Sequence, residues 1–188
     1  MTADAIGDAS DFWVFGYGSL MWDPCFTVAE SSWGIVRGYH RALCILSVRN
    51  RGTWEQPGLA LGLERGGSCR GRIFRIPPDA VATARAALWA REMPNEAYVP
   101  RLLSVRLDDG RRLPALVFVA RPGHPQHVSH LPPSAAAIMV AEGRGQYGTA
   151  LDYLRNVVAH LDGFGIADGP LHRILSLAEA IAGDAATG

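Results

Sequence analysis

Apolar positions along the chain switch between a strand-like and a helix-like period. Phe12-Trp13-Val14-Phe15 is an unbroken aromatic and β-branched run, as expected of a buried strand, and it stops at Gly16-Tyr17-Gly18-Ser19. Further short strands are predicted over 34–40, 42–47, 58–63, 70–76, 102–108 and 113–120. Residues 70–76 (RGRIFRI) and 102–108 (LLSVRLD) alternate partly between apolar and polar, as a half-buried strand does. Asp108-Asp109-Gly110 between the last two predicts an antiparallel hairpin.

Helical spacing takes over elsewhere. One helix is predicted over 79–93, preceded by Pro77-Pro78 and ended by Pro94, which pushes the residue before it out of the α region. A short helix is expected over 134–141. A third starts near Thr149, carries the stripe Leu151, Leu154, Val158 and Leu161, and ends around 163–165. A fourth starts from Asp168 as N-cap and carries Leu171, Ile174, Leu175, Ala178 and Ile181. Strands mostly precede helices, so the fold class is α+β rather than a repeating βαβ. One folded domain is expected over 12–182, with flexible tails at 1–11 and 183–188, and no internal repeat or linker is visible.

Composition narrows the chemistry. The chain has 188 residues, 48% apolar and 19% charged, which suits one globular domain and argues against disorder. Its formal net charge is zero, so the chain as a whole carries no electrostatic footprint for nucleic acid or anionic lipid. All 18 basic residues are Arg. With no Lys, a Schiff-base lysine, a Walker lysine, a kinase-type phosphate lysine and a lysine general base are excluded. Cys25, Cys44 and Cys69 are odd in number and far apart, against a disulfide framework or structural zinc site and in keeping with a reducing compartment, the cytoplasm. The first eleven residues lack the basic and apolar regions of a signal peptide, and no apolar run is long enough to span a bilayer.

Several constellations are candidates for function. Gly16-Tyr17-Gly18-Ser19-Leu20 follows a buried strand, and its glycines let backbone N–H groups face one point, as in carboxylate- or phosphate-binding loops. A plain tight turn is the alternative, because neither GxGxxG nor GxSxG is completed. Glu92 continues the apolar stripe of Val81, Ala84 and Leu88, so a carboxylate falls on the core-facing side of the helix in its last turn. There the macrodipole and partial burial both raise its pKa, which suits a general base; a structural ion pair with Arg91, Arg85 or another Arg is the alternative. Glu96, past Pro94, is expected to be solvated. His124, His127 and His130 repeat at three-residue spacing, but the surrounding prolines break any helix that would align them as metal ligands, so a polar loop is expected. Cys44 reads as core, Arg49 and Arg51 as exposed arginines or carboxylate partners, and Gly145-Gln146-Tyr147-Gly148-Thr149 as a helix cap or anion site.

Taken in order, these pieces resemble the ChaC-like, glutathione-specific γ-glutamylcyclotransferases. The matching residues are Val14-Phe15-Gly16-Tyr17-Gly18-Ser19-Leu20-Met21-Trp22, Arg51-Gly52-Thr53 with Pro57-Gly58, and Leu88-Trp89-Ala90-Arg91-Glu92-Met93 with Tyr98 beyond. Gly145-Gln146-Tyr147-Gly148-Thr149 running into Asp152-Tyr153-Leu154 completes them, so the likeness spans 12–177. It implies a small closed mixed β-barrel with flanking helices. It also implies Glu92 as catalytic acid/base and a substrate grip by Tyr17, Gly18, Ser19 and Leu20. Tyr98 and Tyr153 are phenols that either donate to the substrate or serve as core aromatics. Where the family usually has Asn shortly before the Tyr-Leu pair, this chain has Ala150.

The resemblance implies cyclisation of the γ-glutamyl group of glutathione to 5-oxoproline with release of Cys-Gly. No cofactor and no metal are expected. The expected partner is a small-molecule substrate, with no nucleic acid and no membrane, the chain acting as a monomer or weak dimer. Two other readings are a cyclotransferase for other γ-glutamyl amines or dipeptides, and a non-catalytic regulatory binder linked to cation transport.

Overall fold

In a computed structural model, residues 12–187 are described. The aromatic run becomes β1 (Phe12–Gly16), whose five residues are all buried. Its partners explain why: β1 pairs antiparallel with β3 (Gly58–Ile76) and parallel with β5 (Arg112–Ala120) through Val14↔Leu116. With β2 (Glu30–Ser47) and β4 (Tyr98–Leu107) they form a closed barrel in the order β1-β3-β2-β4-β5. Because all five residues of β1 are buried, both of its faces are covered, hence the lack of alternation in its sequence. β4 and β5 form the expected hairpin, turned at Gly110 with φ +92°, a conformation open mainly to glycine.

The four predicted strands over 34–47 and 58–76 are only two, β2 and β3. Gly38, inside a predicted strand, and Gly66 and Gly67, in the gap between two, all adopt positive φ without ending β2 or β3, as bulge glycines do. β4 also begins four residues earlier than predicted, at Tyr98.

The described chain divides into two compact units, with β2 and β3 contributing to both. The first contains the described residues up to Arg41 and Leu63–Arg121. Its helix α1 (Val81–Glu92) is shorter than predicted because Pro78–Ala80 form a 3₁₀ turn before it. Val81, Ala84 and Leu88 of α1 pack with Phe12, Val14, Ile76, Leu116 and Phe118 in one buried cluster. Each of these side chains other than Ala84 contributes about 1.5–3 kcal/mol on burial. Trp89 adds an edge-on contact with Phe118 at 5.6 Å.

The second unit contains Ala42–Gly62 and the residues from Pro122 onward. It holds α2 (Pro133–Glu142), the short strands β6 (Arg144–Gly145) and β7 (Gly148–Thr149), α3 (Ala150–Gly163) and α4 (Gly169–Thr187). Leu154, Val157 and Leu161 of α3 and Leu171 and Ala178 of α4 are buried on the predicted stripes. α4 continues to Thr187, so residues 183–187, expected as a flexible tail, are helical; the alanine-rich composition favours this. The expected tail at 1–11 lies outside the described residues. Among the described residues no helix is long and apolar enough to cross a membrane.

Candidate active site

β1 ends at Gly16, and the chain turns back on itself at once. A Cβ on Gly16 would stand 3.1 Å from the Leu20 Cβ, so glycine permits the tight return. Gly71 on β3 is needed still more, since a Cβ there would lie 2.3 Å from the Gly16 carbonyl oxygen. Ser19–Met21 then form one 3₁₀ turn, closed by the Met21 N–H donating to Gly18 O at 2.9 Å. Trp22 and Asp23 N–H both donate to Ser19 O, which pins the turn's exit. Arg41, buried, donates from Nε to Tyr17 O at 2.6 Å and from Nη2 to Arg70 O at 2.8 Å. Tyr17 and Leu20 are themselves buried, so the loop is anchored at both ends by packing.

Glu92 is the last residue of α1, four residues after the fully buried Leu88. Its side chain is only 17% exposed, in line with its place on the apolar stripe. Burial raises its carboxyl pKa above the ordinary value, and the Arg91 guanidinium opposes that shift. Arg91 Nε lies 3.5 Å from Glu92 Oε1. The same guanidinium donates from Nη2 to Ser19 Oγ at 2.9 Å and from Nη1 to the Asp23 carbonyl at 2.8 Å. Glu92 and the Ser19 turn are therefore joined through one side chain. Cys25 also shares Arg91, and burial raises its thiol pKa while Arg91 opposes the rise. Cys25, Phe26, Thr27, Ala80, Thr83 and Ala84 line a cavity of about 350 Å³ next to α1.

Tyr98, half-buried at the start of β4, packs against the cluster that holds Leu88. Glu96 is 70% exposed and pairs with Arg121 at 3.4 Å, as expected of a solvated competitor. Thus Tyr17, Gly18, Ser19, Leu20, Glu92 and Tyr98 all belong to the first unit.

Tyr153 belongs to the second unit, on α3. Its hydroxyl accepts from the Leu61 N–H at 3.3 Å, and the Arg51 guanidinium lies over its ring at 5.6 Å. Arg51 also donates to the Tyr147 carbonyl, and Arg49 donates to the Gln146 side chain at 3.2 Å. Backbone bonds from Gln146 to Arg49 O and from Tyr147 to Asn50 O complete a clasp around the β6–β7 hairpin. Both arginines thus brace this loop. Thr149 caps α3 by accepting from the Asp152 N–H at 2.9 Å. Ala150, the first residue of α3, is fully buried against Gly58: a Cβ on Gly58 would lie 2.9 Å from its own. Among the described residues, His124, His127 and His130 do not converge as a ligand set. His124 Nδ1 instead accepts from the Gln126 N–H, and Gln126 is buried with its amide on Leu46 O. Cys44 is core.

Arg41, Arg91 and Cys25 were not singled out as site residues by the sequence. Arg91 carried the clearest signal, standing directly before a stripe-facing Glu at a helix end. Arg41 directly precedes the apolar run 42–46 of β2, and a cation buried there needs partners.

Comparison with known proteins places the chain in a family. A family model described as ChaC-like protein matches residues 12–181. The Escherichia coli glutathione-specific γ-glutamylcyclotransferase is 38% identical over 168 residues, covering 89% of this chain and 73% of that protein. The human glutathione-specific γ-glutamylcyclotransferase 1 is 32% identical over 152 residues, covering 79% and 68%. In fold, the chain is similar to the crystal structure of a glutathione-specific γ-glutamyl cyclotransferase from yeast. The TM-score is 0.82 at 20% identity, with 91% of this chain and 96% of that one covered. With its matched family model and these relatives, the chain belongs to the ChaC-like family.

Proposed function

We propose that this protein cyclises the γ-glutamyl group of glutathione, releasing 5-oxoproline and Cys-Gly. The observation that carries the reading is a largely buried carboxyl, Glu92, joined through Arg91 to the glycine turn at Ser19. The names of its bacterial and mammalian relatives supply the substrate class.

The chemistry asks for one base and one cradle. The α-ammonium of glutathione cannot attack while protonated. Glu92, as carboxylate, takes one proton, and burial makes it a stronger base than an exposed Glu. The freed amine attacks the γ-glutamyl carbonyl carbon and closes a five-membered ring. As the carbon–nitrogen bond to cysteine breaks, Glu92 delivers its proton to the leaving nitrogen. The new ring nitrogen sheds its second proton and the Cys-Gly amine takes one up, so Glu92 ends as carboxylate. Because attack is intramolecular, holding the chain folded supplies much of the acceleration. N–H groups of Gly18, Ser19 and Leu20 are the donors proposed for the substrate carboxylate or the developing oxyanion. Tyr98 is the proposed phenol donor from the same unit. Tyr153, in the second unit, holds its hydroxyl on the Leu61 N–H.

The proposed compartment is the cytoplasm, whose reducing conditions suit Cys25, Cys44 and Cys69, which form no disulfide among the described residues. The chain is proposed to work as a monomer or weak dimer without nucleic acid or membrane, in keeping with its zero net charge. Incubation with glutathione and a panel of γ-glutamyl dipeptides, read by mass spectrometry for 5-oxoproline, tests the reading. Product from glutathione above all others is expected; no 5-oxoproline from any of them would overturn it.

A further inference from the structure

Arg91 does more than neutralise a neighbour. Its guanidinium holds three parts of the first unit: the Glu92 carboxyl at 3.5 Å, the Ser19 hydroxyl at 2.9 Å and the Asp23 carbonyl at 2.8 Å. Its side chain is 25% exposed, and the Asp23 carboxylate lies at 3.6 Å on the more open side. A planar fork can reach acceptors in several directions at once, which an ammonium on a flexible stem cannot reproduce. We propose that Arg91 is a positioning residue: it fixes the Ser19 turn and the Glu92 carboxyl at one separation, so that the cradle and the base meet the same substrate.

This rests on the cyclotransferase reading given above. Two consequences separate it from ordinary structural support. First, the fork ties a loop to a helix end, so its loss lets the turn and the carboxyl move independently. A misplacement of about 1 Å costs roughly 100-fold in turnover. Second, the positive charge favours ionised Glu92 against the burial that disfavours it. The Cys25 thiol interacts with both Arg91 and Glu92, Asp23 from the loop pairs with Arg91, and Tyr98 of β4 packs on the cluster that holds Leu88. None of these supplies a second cation, so removing Arg91 leaves burial unopposed.

The test compares Arg91→Met and Arg91→Lys with wild type in kcat and in the pH dependence of kcat/KM toward glutathione. Arg91→Met is expected to lose about 100-fold in kcat. Its acid limb should move to higher pH, because the opposing positive charge is gone. Arg91→Lys should restore the limb, because the charge returns, but not kcat, because the fork does not. A wild-type acid limb and kcat in Arg91→Met would overturn the proposal. Should that variant not fold, wild-type kcat in Arg91→Lys would overturn it equally. A wild type that makes no 5-oxoproline would remove the cyclotransferase reading alone. The carbon-13 titration of the Glu92 carboxyl, expected to shift upward in Arg91→Met, then decides the hold of Arg91 without any activity.

Discussion

Leu88→Ala isolates the packing that carries Glu92 to its place. Leu88 is 0% exposed and sits between β1 and β5 residues in the cluster with Phe12, Val14, Leu116 and Phe118. Removing three carbons there leaves a void that rigid barrel strands cannot collapse to fill, so the loss should fall inside the 2–5 kcal/mol range of buried Leu truncations, about 3 kcal/mol. For a domain of this size each kcal/mol lowers Tm by about 2–4 °C, giving a fall of roughly 6–12 °C. Ala86→Ser, on the exposed face of the same helix, should change stability by no more than about 0.5 kcal/mol. Calorimetry measures both. Glu92 stands one turn beyond Leu88, so turnover of glutathione by Leu88→Ala well below its Tm should fall too, whereas Ala86→Ser should keep it. A loss under about 1 kcal/mol for Leu88→Ala, or equal losses for the two variants, would refute the claim that α1 is held through this stripe.

Gly58→Ala should cost at least 1–3 kcal/mol, read from the urea midpoint at unchanged m, because the new Cβ would lie 2.3 Å from the Arg51 carbonyl oxygen and backbone cannot yield as a side chain can. Glu92→Gln should be more stable than wild type at neutral pH. The folded carboxyl has a raised pKa, so wild type loses stability as pH climbs from the unfolded value through the folded one, about 1.4 kcal/mol per unit of displacement. The advantage of the Gln variant should vanish below both pKa values, and thermal melts across pH read it; loss of the Arg91 pair works in the opposite direction, so a less stable variant at neutral pH would show the pair outweighing burial. Turnover should survive EDTA, since the proposed steps use only carboxyl and amide groups; inactivation by the chelator, reversed by added metal, would contradict them.

Glu92 was legible in the sequence because helical spacing is a local property: the offsets from Val81 through Leu88 decide which face it shares. The strand Phe12–Gly16 was legible for a similar reason, since a run buried on both faces needs no alternation. The long strands β2 and β3 were not. Glycine marks a turn and a bulge with the same letter, and only pairing across the barrel distinguishes Gly66 and Gly67 from a chain reversal. Arg91 shows a second gap. That it precedes Glu92 is visible in the chain, but its reach to Ser19, far away in sequence, depends on β1 and α1 packing in one cluster. Tyr153 illustrates a third, because α3 places it in a different unit from the glycine turn and gives its hydroxyl a backbone partner that no spacing rule predicts.

Glu92→Gln offers the most direct examination of the proposed chemistry, because it keeps the shape and removes the ionisable group. Purified wild type and variant, confirmed folded by matching far-UV spectra, are each mixed with glutathione and the rate of 5-oxoproline formation is followed. Rapid product from wild type and a fall of at least 100-fold in the variant are expected. Comparable rates from the two proteins would contradict the assignment of Glu92 as the group that moves the proton.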